Sequence, residues 1–121
     1  MIEVVYHRNF HRLSITGHAG AAEQGEDLVC AAASMLAYTL AANVANMADN
    51  GQVRDPVMKM DEGDTLISCK PRHNLKASVT LVFDSVCVGF ELLAHEYTPY
   101  ISYKIRQECR DRERRGQKSI V

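Results

Sequence analysis

Three features of the chain point to a two-layer α/β sandwich, with one mixed sheet and two long helices on one of its faces. Two short stretches rich in β-branched residues occupy the first sixteen positions. Two segments of more than twenty residues carry apolar side chains at helical spacing. Further short alternating segments lie between and after them. The order is β-β-α-β-β-α-β, in which each helix has a sheet face to cover.

"IEVVYH" at 2–7 reads as a strand, and "RN" at 8 and 9 as a tight turn. "FHRLSIT" at 10–16 makes a second strand, with Leu13 and Ile15 on one face. "GHAGAAEQGE" at 17–26 holds three glycines and reads as a loop with freedom to move. From Asp27 the period changes. Leu28, Val29, Ala32, Met35, Leu36, Thr39, Leu40, Val44 and Met47 define a helix with Asp27 as its N-cap, which "DNG" at 49–51 ends. Its many alanines permit close packing against a sheet. Segments 56–60 and 65–69 flank "DEGD" and form a second hairpin. The stretch 74–96 is rich in β-branched residues, which favours a strand. Its length, and apolar recurrence at 75, 79, 82, 86, 90 and 93, favour a buried helix, and helix is the reading taken. "TPYISYKIRQ" at 98–107 is the last strand, and the charged tail at 109–121 is expected to be loose.

A chain of 121 residues with 46% hydrophobic content is expected to form a single domain, 1–121, with a real core. The net charge of −1 gives no overall field for nucleic acid or membrane. No apolar run is expected to approach the ~20 residues of a membrane span. The N-terminus lacks the basic start and long apolar segment of a signal peptide. A soluble cytosolic protein is expected. None of the four cysteines, Cys30, Cys69, Cys87 and Cys109, sits in a CxxC pair, so they should be free thiols. Taken alone, each is most simply a core residue.

Cys30 has a further claim. With Asp27 as N-cap it would occupy N3, where unpaired amides and the helix dipole favour thiolate over thiol. The Asp27 carboxylate pulls the other way. His18, set among small residues at the end of the second strand, is the natural base, and a Cys–His pair supplies nucleophile and proton carrier. Backbone N–H groups from Cys30 onward could serve an oxyanion. Ser34 follows one turn later on the same face, where it could hold a water or simply pack. Spacing alone does not decide between a dyad and two structural residues.

"GHAGAAEQGEDLVCAAAS" resembles the signature of the bacterial Prp ribosomal-processing cysteine protease family. In that pattern Gly-His-Ala-Gly leads through a short loop to Gly-x-Asp-x-Val-Cys-Ala-Ala-x-Ser. Gly17, His18, Ala19, Gly20, Gly25, Asp27, Val29, Cys30, Ala31, Ala32 and Ser34 match it. The resemblance implies a dyad of Cys30 and His18, supported by Asp27, Ser34 and Gly17. It implies a mobile cover formed by Ala19, Gly20, Ala21, Ala22, Glu23, Gln24, Gly25 and Glu26. It also implies a homodimer with no metal or organic cofactor. The substrate implied is the N-terminal extension of a large-subunit ribosomal protein, number twenty-seven of the bacterial series. Ala21 departs from the family, which often has a bulky residue there. The tail "RQECRDRERRGQKSIV" is longer and more basic than the family suggests, and reads as a solvated tail or a weak contact with ribosomal RNA.

His7, His11, His73 and His95 show no metal-ligand spacing and read as surface or strand residues. "EGD" at 62–64 is a turn without a calcium-loop pattern. Cys69 and Cys87 read as core, and Cys109 as an exposed tail residue. Two functions of different kinds remain. One is a cysteine endopeptidase. The other is a non-catalytic ribosome-associated assembly or binding module, which would need the fold but not the thiol. A redox-sensing thiol is a third and weaker reading.

Overall fold

Strand β1 (Ile2–His7) runs through the middle of a five-stranded sheet, and the computed structural model describes this sheet and its helices over residues 1–18 and 24–107. After β1, a 3-10 turn at Arg8–Phe10 leads into β2 (Arg12–Thr16), antiparallel to β1. Helix α1 (Gln24–Asp49) follows, then the hairpin of β3 (Val53–Asp61) and β4 (Asp64–Pro71). Helix α2 (Lys76–Glu96) and β5 (Ile101–Arg106) complete the fold. The strand order is β3-β4-β2-β1-β5, antiparallel except for the β1–β5 pair. The predicted element order and the mixed sheet are those observed, and both helices cover one face.

Alternation within the strands decides that face. Ile2, Val4 and Tyr6 of β1 are buried, as are Leu13 of β2, Ile67 and Cys69 of β4 and Ile101 of β5. They meet Val29, Ala33, Ala37, Leu40 and Val44 of α1 and Val79, Phe83, Cys87 and Phe90 of α2. Each fully buried Leu, Val or Phe side chain contributes about 1.5–3 kcal/mol. The helices cross closely where Gly89 meets Leu36: a Cβ at Gly89 would stand 2.6 Å from a Leu36 methyl. Both helices are long and apolar enough, by composition, to cross a bilayer. This corrects the expectation that no apolar run approaches that length: α1 has only Ser34, Thr39, Asn43 and Asn46 as polar breaks from Leu28 to Ala48, and α2 has Asp84 and Glu91 in its interior. In this fold their buried sides face the sheet and each other.

Several boundaries shift. Strand β2 starts at Arg12, because Arg8–Phe10 winds into a 3-10 turn and His11 is left-handed at φ 50°. Strands β3 and β4 extend beyond 56–60 and 65–69, past a register shift between Arg54 and Val57 that absorbs Pro56. β5 starts at Ile101, since Thr98 and Pro99 belong to the turn that closes α2.

His11 is not a surface residue. It is 3% exposed, its Nε2 lies 2.7 Å from the Thr80 hydroxyl, and its ring meets the Phe83 ring edge-on at 5.8 Å. Beside it the Tyr6 hydroxyl donates to Asp84 at 2.8 Å, and the Arg8 guanidinium grips the same carboxylate. These bonds tie β1 to α2 and give the buried Tyr6 hydroxyl an acceptor.

Candidate active site

His18 follows the last residues of β2, on the helix-covered side of the sheet's β1–β2 end. Gly17 fixes the turn. Its φ is +93°, and a side chain there would collide with the Met1 carbonyl. The Gly17 N–H donates to the Gly63 carbonyl at 3.1 Å, which stitches this turn to the β3–β4 hairpin. Gly63, with φ +75°, lies directly against the imidazole: a Cβ on it would stand 2.6 Å from His18 Nε2 and 2.7 Å from Cε1. The missing side chain is what lets the ring rest there.

Cys30 is exposed and lines the same cleft as His18. The cleft has a volume of about 440 Å³. Ala33, Ser34, Ala37 and Tyr38 continue the Cys30 side of α1 along it, at helical spacing. Ile2, Ile15 and Met60 supply an apolar floor, and Asp61, Glu62 and Asp64 an acidic wall. Lys59 bridges to Asp64 at 2.6 Å and to Asp61 at 4.0 Å, and leaves that wall net negative. Ser34 and Gly17 line the same cleft as Cys30 and His18.

Asp27 is not the N-cap. Helix α1 starts at Gln24, so Asp27 lies inside it, and Gln24, Gly25 and Glu26 belong to the helix rather than to a loop. Gln and Glu are good helix formers, and acidic residues in a first turn suit the dipole, which outweighs the cost of one glycine. Cys30 accordingly sits in the second turn, not at N3. Its own N–H is within the helical ladder, past the amides left unpaired at the start of the helix. The thiol is therefore beyond the first turn, where the dipole is strongest, and its own amide does not form an oxyanion hole. Ala19, Gly20, Ala21, Ala22 and Glu23 of the expected cover lie outside the described residues, as do Cys109 and the tail.

The other thiols are set apart. Burial pushes Cys69 up to about 11 and Cys87 up to about 12, although Tyr103 shares a hydrogen bond with Cys87 that opposes the shift. His73 and His95 are exposed, and neither lines the cleft. Among the described residues no three His, Cys, Asp or Glu side chains gather to hold a metal ion. Sequence reasoning missed Tyr38, Met60, Asp61, Glu62 and Gly63. Tyr38 could have been found two turns beyond Cys30; the hairpin residues reach the site only through folding.

Residues 1–102 match the family described as cysteine protease Prp. Solved structures share the fold. SMU.848 from Streptococcus mutans is 25% identical, with a TM-score of 0.57 over 88% of this chain and 93% of that one. The ribosomal processing protease Prp from S. aureus, bound covalently to a product peptide, is 20% identical with a TM-score of 0.60, over 87% of this chain and 97% of its own. The same enzyme with a substrate peptide is 17% identical, with a TM-score of 0.58 and the same coverage. No curated protein matches the chain. The family match defines the class, a cysteine protease. The chain belongs to the Prp cysteine protease family.

Proposed function

We propose that the protein is a ribosomal-processing endopeptidase that removes the N-terminal extension of large-subunit ribosomal protein twenty-seven. The carrying observation is that Cys30 and His18 line one cleft, with the thiol accessible. The Cys30 thiolate attacks the scissile carbonyl carbon. The C–N bond then breaks as the His18 imidazolium gives its proton to the leaving amine. Water, deprotonated by neutral His18, hydrolyses the thioester and restores the thiolate. Asp27 and Ser34 act in support, and the segment 19–23, which precedes α1, covers the bound peptide. The cleft's two walls differ, small and apolar along α1 and acidic along the hairpin turn. An extended peptide with an apolar side chain at the scissile bond and a basic one beside Asp61 and Glu62 suits both.

The enzyme acts as a cytoplasmic homodimer in this reading. Leu81, Val88 and Leu92 are exposed along one stripe of α2, and Leu28 and Met35 are exposed on α1, which supplies apolar area for a second copy. The test is cleavage of the extended ribosomal protein by Cys30→Ala, Cys30→Ser and His18→Ala. All three are expected to leave the extension in place, and undiminished cleavage by the two Cys30 variants removes the proposal.

A further inference from the structure

The face of the sheet that carries no helix bears rows of cations at the pole opposite the cleft. Arg106 and Arg12 flank His7 on three adjacent strands. Two strands away, Arg54 directly faces Lys70. Lys104 lies two residues before Arg106, on the same face. All five Arg and Lys side chains here are exposed. Like charges directly opposed across a sheet destabilise it. Of these Arg and Lys side chains, among the described residues, Lys70 pairs with Asp55 at 3.6 Å, and no ion pair neutralises Arg12, Arg54, Lys104 or Arg106.

The segregation holds for the whole fold. Of the nine Lys and Arg residues in 1–107, only Lys59 belongs to the cleft pole. Arg8 and Arg72, in the connections at the same strand ends, and Lys76, the first residue of α2, stand beside the cation rows. A net charge of −1 therefore conceals an acidic cleft and, at the other pole, a cluster of cations of which Arg8 and Lys70 are paired, with Asp84 and Asp55.

We infer that this basic pole binds RNA through its phosphate backbone. Neighbouring strands lie about 5 Å apart, so Arg54 and Lys70 stand one strand spacing apart and Arg12 and Arg106 two, a two-dimensional array that complements a phosphate backbone. Phe10, 42% exposed, lies beside it with the Arg12 guanidinium 5.8 Å from its ring centre. An exposed ring next to a guanidinium is a stacking surface for an unpaired base. A flat sheet suits single strands or the shallow minor groove of A-form RNA, and does not enter the grooves of B-DNA. The acidic cleft then faces away from the bound RNA. Binding is independent of Cys30 chemistry, so it stands or falls apart from the protease reading.

The test uses the full chain and a fluorescent single-stranded RNA of twenty nucleotides, titrated at several salt concentrations. Arg12→Gln/Arg106→Gln is expected to weaken binding about tenfold and to flatten the slope of log K against log salt by about 1.4, as expected for two lost phosphate contacts. The variant is expected to melt at or above the parent temperature, because it relieves opposed charges. Arg114→Gln/Arg115→Gln, in the tail, serves as the comparison. No binding by the parent protein at 50 mM salt overturns the inference. So does equal binding by parent and Arg12→Gln/Arg106→Gln, or loss confined to the tail variant. Equal affinity for vesicles with phosphatidylserine would show a general anion response and overturn it too.

Discussion

The imidazole of His18 rests on the bare backbone of Gly63, in the turn between β3 and β4. The hairpin is therefore part of the active-site wall, and a residue forty-five positions away sets where the proposed base can lie. Gly63→Ala places a methyl group against Nε2 and strains a backbone at φ +75°. It is expected to cost about 1–2 kcal/mol of stability. Displacing the ring by about 1 Å should also slow peptide cleavage by about a hundredfold. Urea melts and turnover of an extended substrate measure the two effects separately; a variant with full turnover would show that the ring's seat is unimportant.

The thiols should label in a fixed order. In a Cys109→Ser background, iodoacetamide at pH 8 is expected to modify Cys30 alone in the folded protein. Cys69 and Cys87 are buried and hold their protons to about 11 and about 12. Mass spectrometry of tryptic peptides reads the order, and modification of Cys87 as fast as Cys30 would contradict it.

Asp84 should set part of the acid limit of the fold. The Arg8 guanidinium, and then the Tyr6 hydroxyl, hold its carboxyl below the usual range against the effect of burial. The folded state thus binds this proton less readily than the unfolded chain. The stability conferred is full above the ordinary carboxylate value of about 4 and is lost as pH falls through the folded value. Urea midpoints from pH 7 to pH 3 should fall less steeply for Asp84→Asn than for the parent. Asp84→Ala, which strips the buried Tyr6 hydroxyl of its acceptor, should cost about 1–3 kcal/mol at pH 7.

The exposed stripe of α2 should report on assembly. Leu92→Asp is expected to turn dimer into monomer by sedimentation at micromolar concentration while circular dichroism stays unchanged. A parent protein that is monomeric at the same concentration would remove the homodimer from the proposed function.

Phe83 stacks on Tyr6 at 6.0 Å and meets the edge of His11 at 5.8 Å, wholly buried between β1 and α2. Phe83→Ala should cost about 3–5 kcal/mol by loss of transfer energy and creation of a cavity. A denaturant titration with an unchanged m-value measures it.

Much of this was legible in residue order. Period and turn chemistry placed both hairpins, and apolar recurrence at 75, 79, 82, 86, 90 and 93 outweighed a β-rich composition to give α2. The motif from Gly17 to Ser34 singled out His18 and Cys30, and both line one cleft. The start of α1 was not legible. Asp27 has the chemistry of a cap, but helix formers on its N-terminal side extend the helix to Gln24, and propensity cannot rank a cap against one more turn.

Local sequence determined the elements, their order and the presence of a thiol and an imidazole near one another in the chain, because period, turn residues and short-range motifs act between neighbours. Tertiary structure alone decided that Gly63 supports His18, that His11 is buried, and that cations scattered from Arg8 to Arg106 gather at one pole. Those relationships depend on strand order and register, which bring together residues dozens of positions apart and which no local pattern encodes.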